Sequence, residues 1–190
     1  GVGKTRIAVG YAATQPSQFP DGVHWFPVGT LNDPTVLSAL AGALGVRGSP
    51  KTTVKEIIDH LRPLSSLLVI DNAEHHLSAC AELCRAILTS APRLTILITS
   101  RHLTGVPGEL ALPVVPLQLP SQGTPADQLS SIPSCQLFLS RSLINNRLDQ
   151  PAADAVARIC HRLDGLPLAI ELVAARAALV MNSVTEPASR

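Results

Sequence analysis

The chain has 190 residues, with 15 Lys and Arg against 14 Asp and Glu for a net charge of +1. At 46% hydrophobic and 15% charged residues it can bury a substantial core, which excludes global disorder, and its length fits one domain or one and a half. So even a balance gives no basic face for sequence-independent nucleic-acid binding. The longest apolar runs, such as Ser66–Ile70 and Leu94–Thr99, fall far short of the roughly 18 residues that suggest a membrane span.

In chain order, Thr5–Thr14 reads as a helix with Ile7, Ala8, Tyr11 and Ala12 on one side, ended near Pro16. Gly22–Val28 reads as a strand, and Pro27 marks it as an edge strand. Asp33 followed by Pro34 looks like an N-cap and first-turn proline for a helix through Leu37, Leu40 and Ala41 that stops before Gly45. Thr53-Val54-Lys55-Glu56 matches a capping box for a helix carrying Ile57, Ile58 and Leu61 and ending at Pro63. Ser66–Ile70, closed by Asp71, is a continuous apolar run that fits a strand buried on both faces of a parallel sheet. Leu77–Ala91 is a helix with Ala79, Leu83, Ala86 and Ile87 on its apolar face, and Leu94–Thr99 is a second buried-strand run. Leu110–Leu119 is broken by Pro113 and Pro116 and followed by Pro120, so it offers at most a short last strand.

Composition shifts after Pro120. Ser121–Ser134 is rich in Ser, Gly, Pro and Gln and reads as a loop or hinge. Beyond it only helices are suggested: Cys135–Asn145, Pro151–Leu163 with Val156, Ile159, Cys160 and Leu163 on one face, and Pro167–Met181 with Leu168, Leu172, Ala175 and Leu179. Alternating strands and helices followed by helices alone give an α/β sheet with helices on both faces and then a small all-α subdomain. The expected division is 1–120, a linker at 121–134, and 135–190.

Cysteines at 80, 84, 135 and 160 lack the C-x-x-C spacing of zinc or thioredoxin-like sites. They read as small core residues in a reducing, cytoplasmic setting, with Cys80 and Cys84 on one helix face. No initiator Met or signal peptide precedes Gly1, so a fragment is expected.

Gly1-Val2-Gly3-Lys4-Thr5 is the second half of G-x-x-x-x-G-K-[ST]. In such a loop successive backbone N–H groups form an anion-binding concavity, and the following helix presents its positive end. Lys4 would reach the β- and γ-phosphates, and Thr5 would place its hydroxyl on Mg²⁺. The alternative is a plain glycine-rich turn before a helix. Asp71, at the carboxyl end of a buried strand, suits a second Mg²⁺ ligand, because ligand sites in open sheets lie beyond the carboxyl ends of strands. Glu74 is either a carboxylate that orients an attacking water or a solvated helix-start glutamate. Arg101, closing the run Ile98-Thr99-Ser100-Arg101, is either a bidentate donor to a γ-phosphate or a surface arginine.

Gly-Val-Gly-Lys-Thr-Arg-Ile-Ala, Leu-Leu-Val-Ile-Asp-Asn-Ala-Glu-His, Ile-Thr-Ser-Arg and Gly165-Leu166-Pro167-Leu168 followed by Ala-Ile-Glu-Leu-Val-Ala-Ala-Arg together resemble the NB-ARC class of STAND ATPases. The nearest likeness is to the ATPase modules of large bacterial transcriptional regulators of the antibiotic-regulatory and LuxR types. The resemblance implies a P-loop NTPase sheet, with its first strand and first glycine upstream of Gly1, and a helical subdomain. It implies a switch in which ADP holds a resting form and exchange for ATP permits opening and self-assembly with other domains of a longer protein. It makes Gly1, Val2, Gly3, Lys4, Thr5 and Arg6 the phosphate cradle, Thr5 and Asp71 the Mg²⁺ ligands, Arg101 the phosphate sensor, and Pro167 an apolar platform near adenine. Locally, Gly165 as a helix stop and Pro167 as a helix start explain the same residues. His75 and His76 fall in the Asp-Asn-x-Glu-His signature and read as packing or surface residues.

Two further readings stay open. One is an AAA+-like ATPase with steady turnover, in which Asn72 and Glu74 support hydrolysis. The other is an interaction module that no longer binds nucleotide.

Overall fold

The computed structural model describes residues 1–29, 36–46, 53–142 and 148–185. They form two compact units, one of Lys4–Leu112 and one of Gly1–Gly3 with the chain from Pro113 on. The division falls at 112/113, ahead of the composition shift after Pro120.

The first unit contains α1 (Lys4–Thr14), β1 (Val23–Pro27), α2 (Val36–Ala43), α3 (Val54–Leu61), β2 (Leu67–Asp71), α4 (Leu77–Ser90) and β3 (Thr95–Ile98). Its three strands are all parallel, in the order β1-β2-β3, with Trp25 opposite Val69 and Val69 opposite Leu97. β2 is the central strand: Leu67, Leu68, Val69 and Ile70 are all fully buried, because successive side chains face opposite sides and both sides are covered. Leu68 and Ile70 join a core with Val36 and Leu40 of α2, Ile57 and Leu61 of α3, and Cys80, Cys84 and Ile87 of α4. Leu67 and Val69 face Ala8 of α1, with Phe19 and Trp25 beside them. Each buried aliphatic side chain of β2 contributes about 1.5–3 kcal/mol, so this strand anchors the unit.

One expectation, the burial of the last strand, β3, needs correction here, and two others are refined. On α1 only Ala8 is buried, while Ile7 and Tyr11 are exposed. The helix seats on the sheet through small residues, and Tyr11 meets Phe19 edge-on at a centroid distance of 6.3 Å. β3 is not buried on both faces: Thr95 is exposed and Ile96–Ile98 are half-buried. The cause is its place at the edge of the described sheet. Leu110–Leu119, expected to offer at most a short strand, forms none, and Leu110 is 92% exposed; prolines at 113 and 116 remove ladder donors.

The capping box is present. The Thr53 N–H donates to Glu56 Oε2 at 2.7 Å, the Glu56 N–H donates back to Thr53 Oγ1 at 3.4 Å, and the first of these bonds holds the Glu56 carboxyl below its ordinary value. Asp33 and Pro34, the expected start of the helix seen as α2, lie outside the described residues.

The second unit is helical: α5 (Pro133–Ser142), α6 (Gln150–Arg162) and α7 (Pro167–Thr185), preceded by a 3₁₀ turn at Leu129–Ser131. Part of the expected 121–134 loop is therefore ordered, because buried Leu129 draws it into a core with Cys135, Phe138, Val156, Cys160, Ile170 and Ala174. Asp149 caps α6 by accepting the Ala152 N–H at 3.0 Å, with Pro151 in the first turn. Between α6 and α7 the chain turns through Asp164 and Gly165, both at positive φ. A Cβ at Gly165 would strike the Leu117 carbonyl, and the Leu117 N–H donates to Gly165 O at 2.9 Å. Glycine is required there for a close backbone approach as well as for the turn.

Candidate functional site

The candidate site of the first unit gathers at the carboxyl ends of β2 and β3, where parallel strands deliver side chains to one edge. The pairing of Ile70 with Ile98 sets the register, and one residue further along each strand come Asp71 and Thr99. Thr99 is 5% exposed, and its hydroxyl donates to Asp71 Oδ1 at 2.5 Å while accepting the Asn72 N–H at 2.9 Å. The Thr5 hydroxyl, on the first turn of α1, donates to the same Asp71 oxygen at 2.8 Å. Two threonines from separate elements thus fix one half-buried carboxylate. Lys4 opens α1 beside Thr5; it is half-buried and makes no ion pair among the described residues.

Glu74 and Arg101 are also brought together. Glu74 sits in a 3₁₀ turn after β2, its side chain only 9% exposed, and its Oε1 pairs with Arg101 Nε at 3.0 Å. With its amide oriented to face the carboxylate, Asn72 donates to both Glu74 oxygens at 3.1 Å. The reading of Glu74 as a solvated helix-start residue is thereby overturned, since its carboxylate is engaged by two neighbours. Arg101 is 72% exposed along its side chain, and it is paired rather than free. Of the two histidines, His75 is exposed and His76 buried.

Asn72 adopts the left-handed conformation, with φ 63. A Cβ at Gly29, just past β1, would collide with the Asn72 side chain and lie 2.9 Å from its Cβ. Asn72, Thr99 and Gly29 are thus site residues that sequence reasoning did not single out for these roles. For Thr99 there was a signal, a polar residue closing an apolar strand run at the level of Asp71.

The remaining predicted residues fall in the second unit or on α1. Gly3 has φ 96, a conformation glycine adopts without strain. The Leu168 N–H donates to Gly1 O at 3.4 Å, and a Cβ at Gly3 would lie 4.0 Å from Pro167 Cγ. The glycine-rich start and the Gly-Leu-Pro-Leu turn are therefore neighbours within this unit, and half-buried Pro167 opens α7. Val2 is half-buried and Arg6 exposed.

The chain is 35% identical over 181 residues to an uncharacterized protein of Mycobacterium tuberculosis, matching 93% of this chain and 43% of the relative. It is 34% identical over 178 residues to a protein of the same organism named "Putative HTH-type transcriptional regulator", matching 93% of this chain and 19% of that relative. Counterparts in Mycobacterium bovis match to the same degree. The chain thus spans less than half the length of the curated relatives it matches. No protein-family model matches the chain, and no solved structure matches it. Among the described residues no helix is long and apolar enough to cross a membrane.

Proposed function

We propose that this chain is the ADP- and ATP-binding module of a transcriptional regulator, a P-loop switch of the NB-ARC and STAND type that hydrolyses ATP slowly. The observation that carries the reading is the convergence of the Thr5 and Thr99 hydroxyls on Asp71 at the carboxyl ends of parallel strands, with Lys4 next to Thr5 in the chain. A hydroxyl and a carboxylate oxygen 2.8 Å apart are hard donors of the kind Mg²⁺ takes, so the residues fit the ion. Mg²⁺ bound there supplies charge neutralisation at the β- and γ-phosphates. Thr5 and Asp71 would hold it, and Lys4 would bind phosphate oxygens at the N-terminus of α1. Similarity to a protein named as a transcriptional regulator supports the wider context, with DNA contact made by other parts of a longer chain.

The Glu74 environment supports slow hydrolysis. A carboxylate already accepting from Arg101 and Asn72 has little capacity left to orient a water, which favours the switch over a steadily turning ATPase. The test is calorimetric titration of Mg·ADP and Mg·ATP into the chain and into a form extended at its N-terminus, each beside Lys4→Ala. Binding that is lost in Lys4→Ala is expected. Absence of binding in both forms would overturn the proposal and leave an interaction module.

A further inference from the structure

Cys135 and Cys160 have no part in the nucleotide reading. Both are fully buried and free, and both lie in the helical unit, Cys135 in the first turn of α5 and Cys160 near the end of α6. Their sulfurs are in contact at 3.9 Å, and the Ser134 hydroxyl lies 3.8 Å from the Cys135 sulfur. The Cys160 S–H and the Ser134 O–H can both point at a Cys135 thiolate. The Cys160 hydrogen bond is the main reason the Cys135 thiol is held below its ordinary value despite burial, and the same contact pushes the Cys160 thiol up.

We infer that Cys135 and Cys160 form a hydroperoxide-oxidisable thiol pair that closes to a disulfide tying α5 to α6. The Cys135 thiolate attacks a peroxide oxygen and the O–O bond breaks. This gives a sulfenic acid on Cys135 and a hydroxide that leaves as water with the proton Cys135 gave up. The Cys160 sulfur then attacks the Cys135 sulfur; the S–S bond forms, the S–O bond breaks, and the departing hydroxide takes the Cys160 proton as a second water. Two thiols are oxidised by two electrons and one hydrogen peroxide is reduced to two waters. The sulfurs, now in contact at 3.9 Å, must close to a bond of about 2.05 Å. Because both thiols are buried, peroxide reaches them through local opening of the helical unit, so that opening limits the rate.

Cys80 and Cys84 provide an internal control. They are as deeply buried, but they lie one turn apart on α4, and burial followed by the charge on Cys80 pushes the Cys84 thiol up to about 12. They are expected to stay reduced.

The test is to treat the folded chain with hydrogen peroxide, alkylate it in denaturant, and map the peptides by mass spectrometry. Alkylatable thiols should fall from four to two, with a reductant-sensitive crosslink joining the Cys135 and Cys160 peptides. In Cys160→Ser the Cys135 sulfenic acid should persist and be trapped by a dimedone-type reagent. A buried serine costs stability, so the map of the unsubstituted chain carries the test by itself. Four alkylated cysteines after treatment, a Cys135 sulfinic acid without crosslink, or equal loss of Cys80 and Cys84 would each overturn the inference. No nucleotide enters the experiment, so its failure leaves the switch proposal untouched.

Discussion

Replacing Thr99 by valine keeps the side chain's shape and removes one hydroxyl. That hydroxyl is buried, donates to the Asp71 carboxylate at 2.5 Å, and accepts the Asn72 N–H at 2.9 Å. A hydrogen bond to an ionised group is worth about 1.5–3 kcal/mol and a neutral one about 0.5–1.5 kcal/mol. Three effects reduce the loss: Asp71 is half-exposed and keeps its Thr5 partner, the Asn72 N–H can rehydrate, and the added methyl gains roughly 0.5–1 kcal/mol of burial. The net expectation is destabilisation of the first unit by about 2 kcal/mol. Urea unfolding followed by the fluorescence of Trp25 reports this unit specifically, because Trp25 is the chain's one tryptophan and lies in β1. With a slope of roughly 2 kcal/mol per M the midpoint should fall by about 1 M at unchanged slope. In a double-mutant cycle with Asp71→Asn the two losses should be strongly non-additive. A valine variant as stable as the parent, or additive with Asp71→Asn, would show that Thr99 is a packing residue and that the carboxylate is fixed by something else.

Gly165→Ala should destabilise the helical unit by about 2–4 kcal/mol, since it combines a positive φ with a Cβ driven against the Leu117 carbonyl; far-ultraviolet circular dichroism during thermal unfolding measures it, and a loss under about 0.5 kcal/mol would refute the close approach. His24 has a buried Nε2 without a hydrogen-bond partner among the described residues, and its pKa is lowered first by burial and then by the charge of His60. The unfolded chain therefore binds this proton more readily than the folded one, so the stability His24 contributes is present above pH 6.5 and is lost as pH falls through the depressed folded value. The Trp25 transition should weaken over that acid window, and His24→Asn should flatten the dependence. Under the proposed function Arg101→Ala should weaken Mg·ATP relative to Mg·ADP by less than the roughly tenfold worth of one charge-assisted hydrogen bond, because the bond to phosphate replaces one to Glu74; equal affinities in parent and variant in competition binding would remove Arg101 as the phosphate sensor.

Much of the sheet was legible in the sequence because its signals are local. A short continuous apolar run ending in Asp71 fits a doubly covered strand in a parallel sheet, and it is β2, with every member of Leu67–Ile70 buried. Thr53 and Glu56 cap α3 through contacts within four residues, and Pro27 marked a strand that does lie at the edge. What periodicity could not report was which apolar faces find cover. The stripe of Ile7 and Tyr11 on α1 is real as a pattern, yet the sheet accepts that helix through Ala8. At the site, Asp71 and Thr5 could be picked out by spacing, whereas the Asn72 and Gly29 contact could not. It depends on the register of β1 against β2, which pairs Pro27 with Asp71 and so brings the residues just beyond them together.

The pairing of Glu74 with Arg101 changes what the two residues can do. Read separately from the sequence, one was a candidate for orienting water and the other for sensing phosphate, and each role requires a free functional group. In the folded chain Arg101 Nε is spent on Glu74 Oε1, and Asn72, wedged against Gly29, donates to both Glu74 oxygens. Arg101 keeps 72% of its side chain exposed while Glu74 is nearly buried, so the arginine is the partner that can leave. A terminal phosphate that draws Arg101 away must replace a charge-assisted bond already made, which lowers the net gain of ATP over ADP. It also leaves Glu74 buried with only Asn72 to satisfy it, a state of higher energy than the paired one. Under the proposed function both costs act in the same direction: they would favour a diphosphate-bound resting form and make exchange the controlled step, as a switch requires and a motor does not.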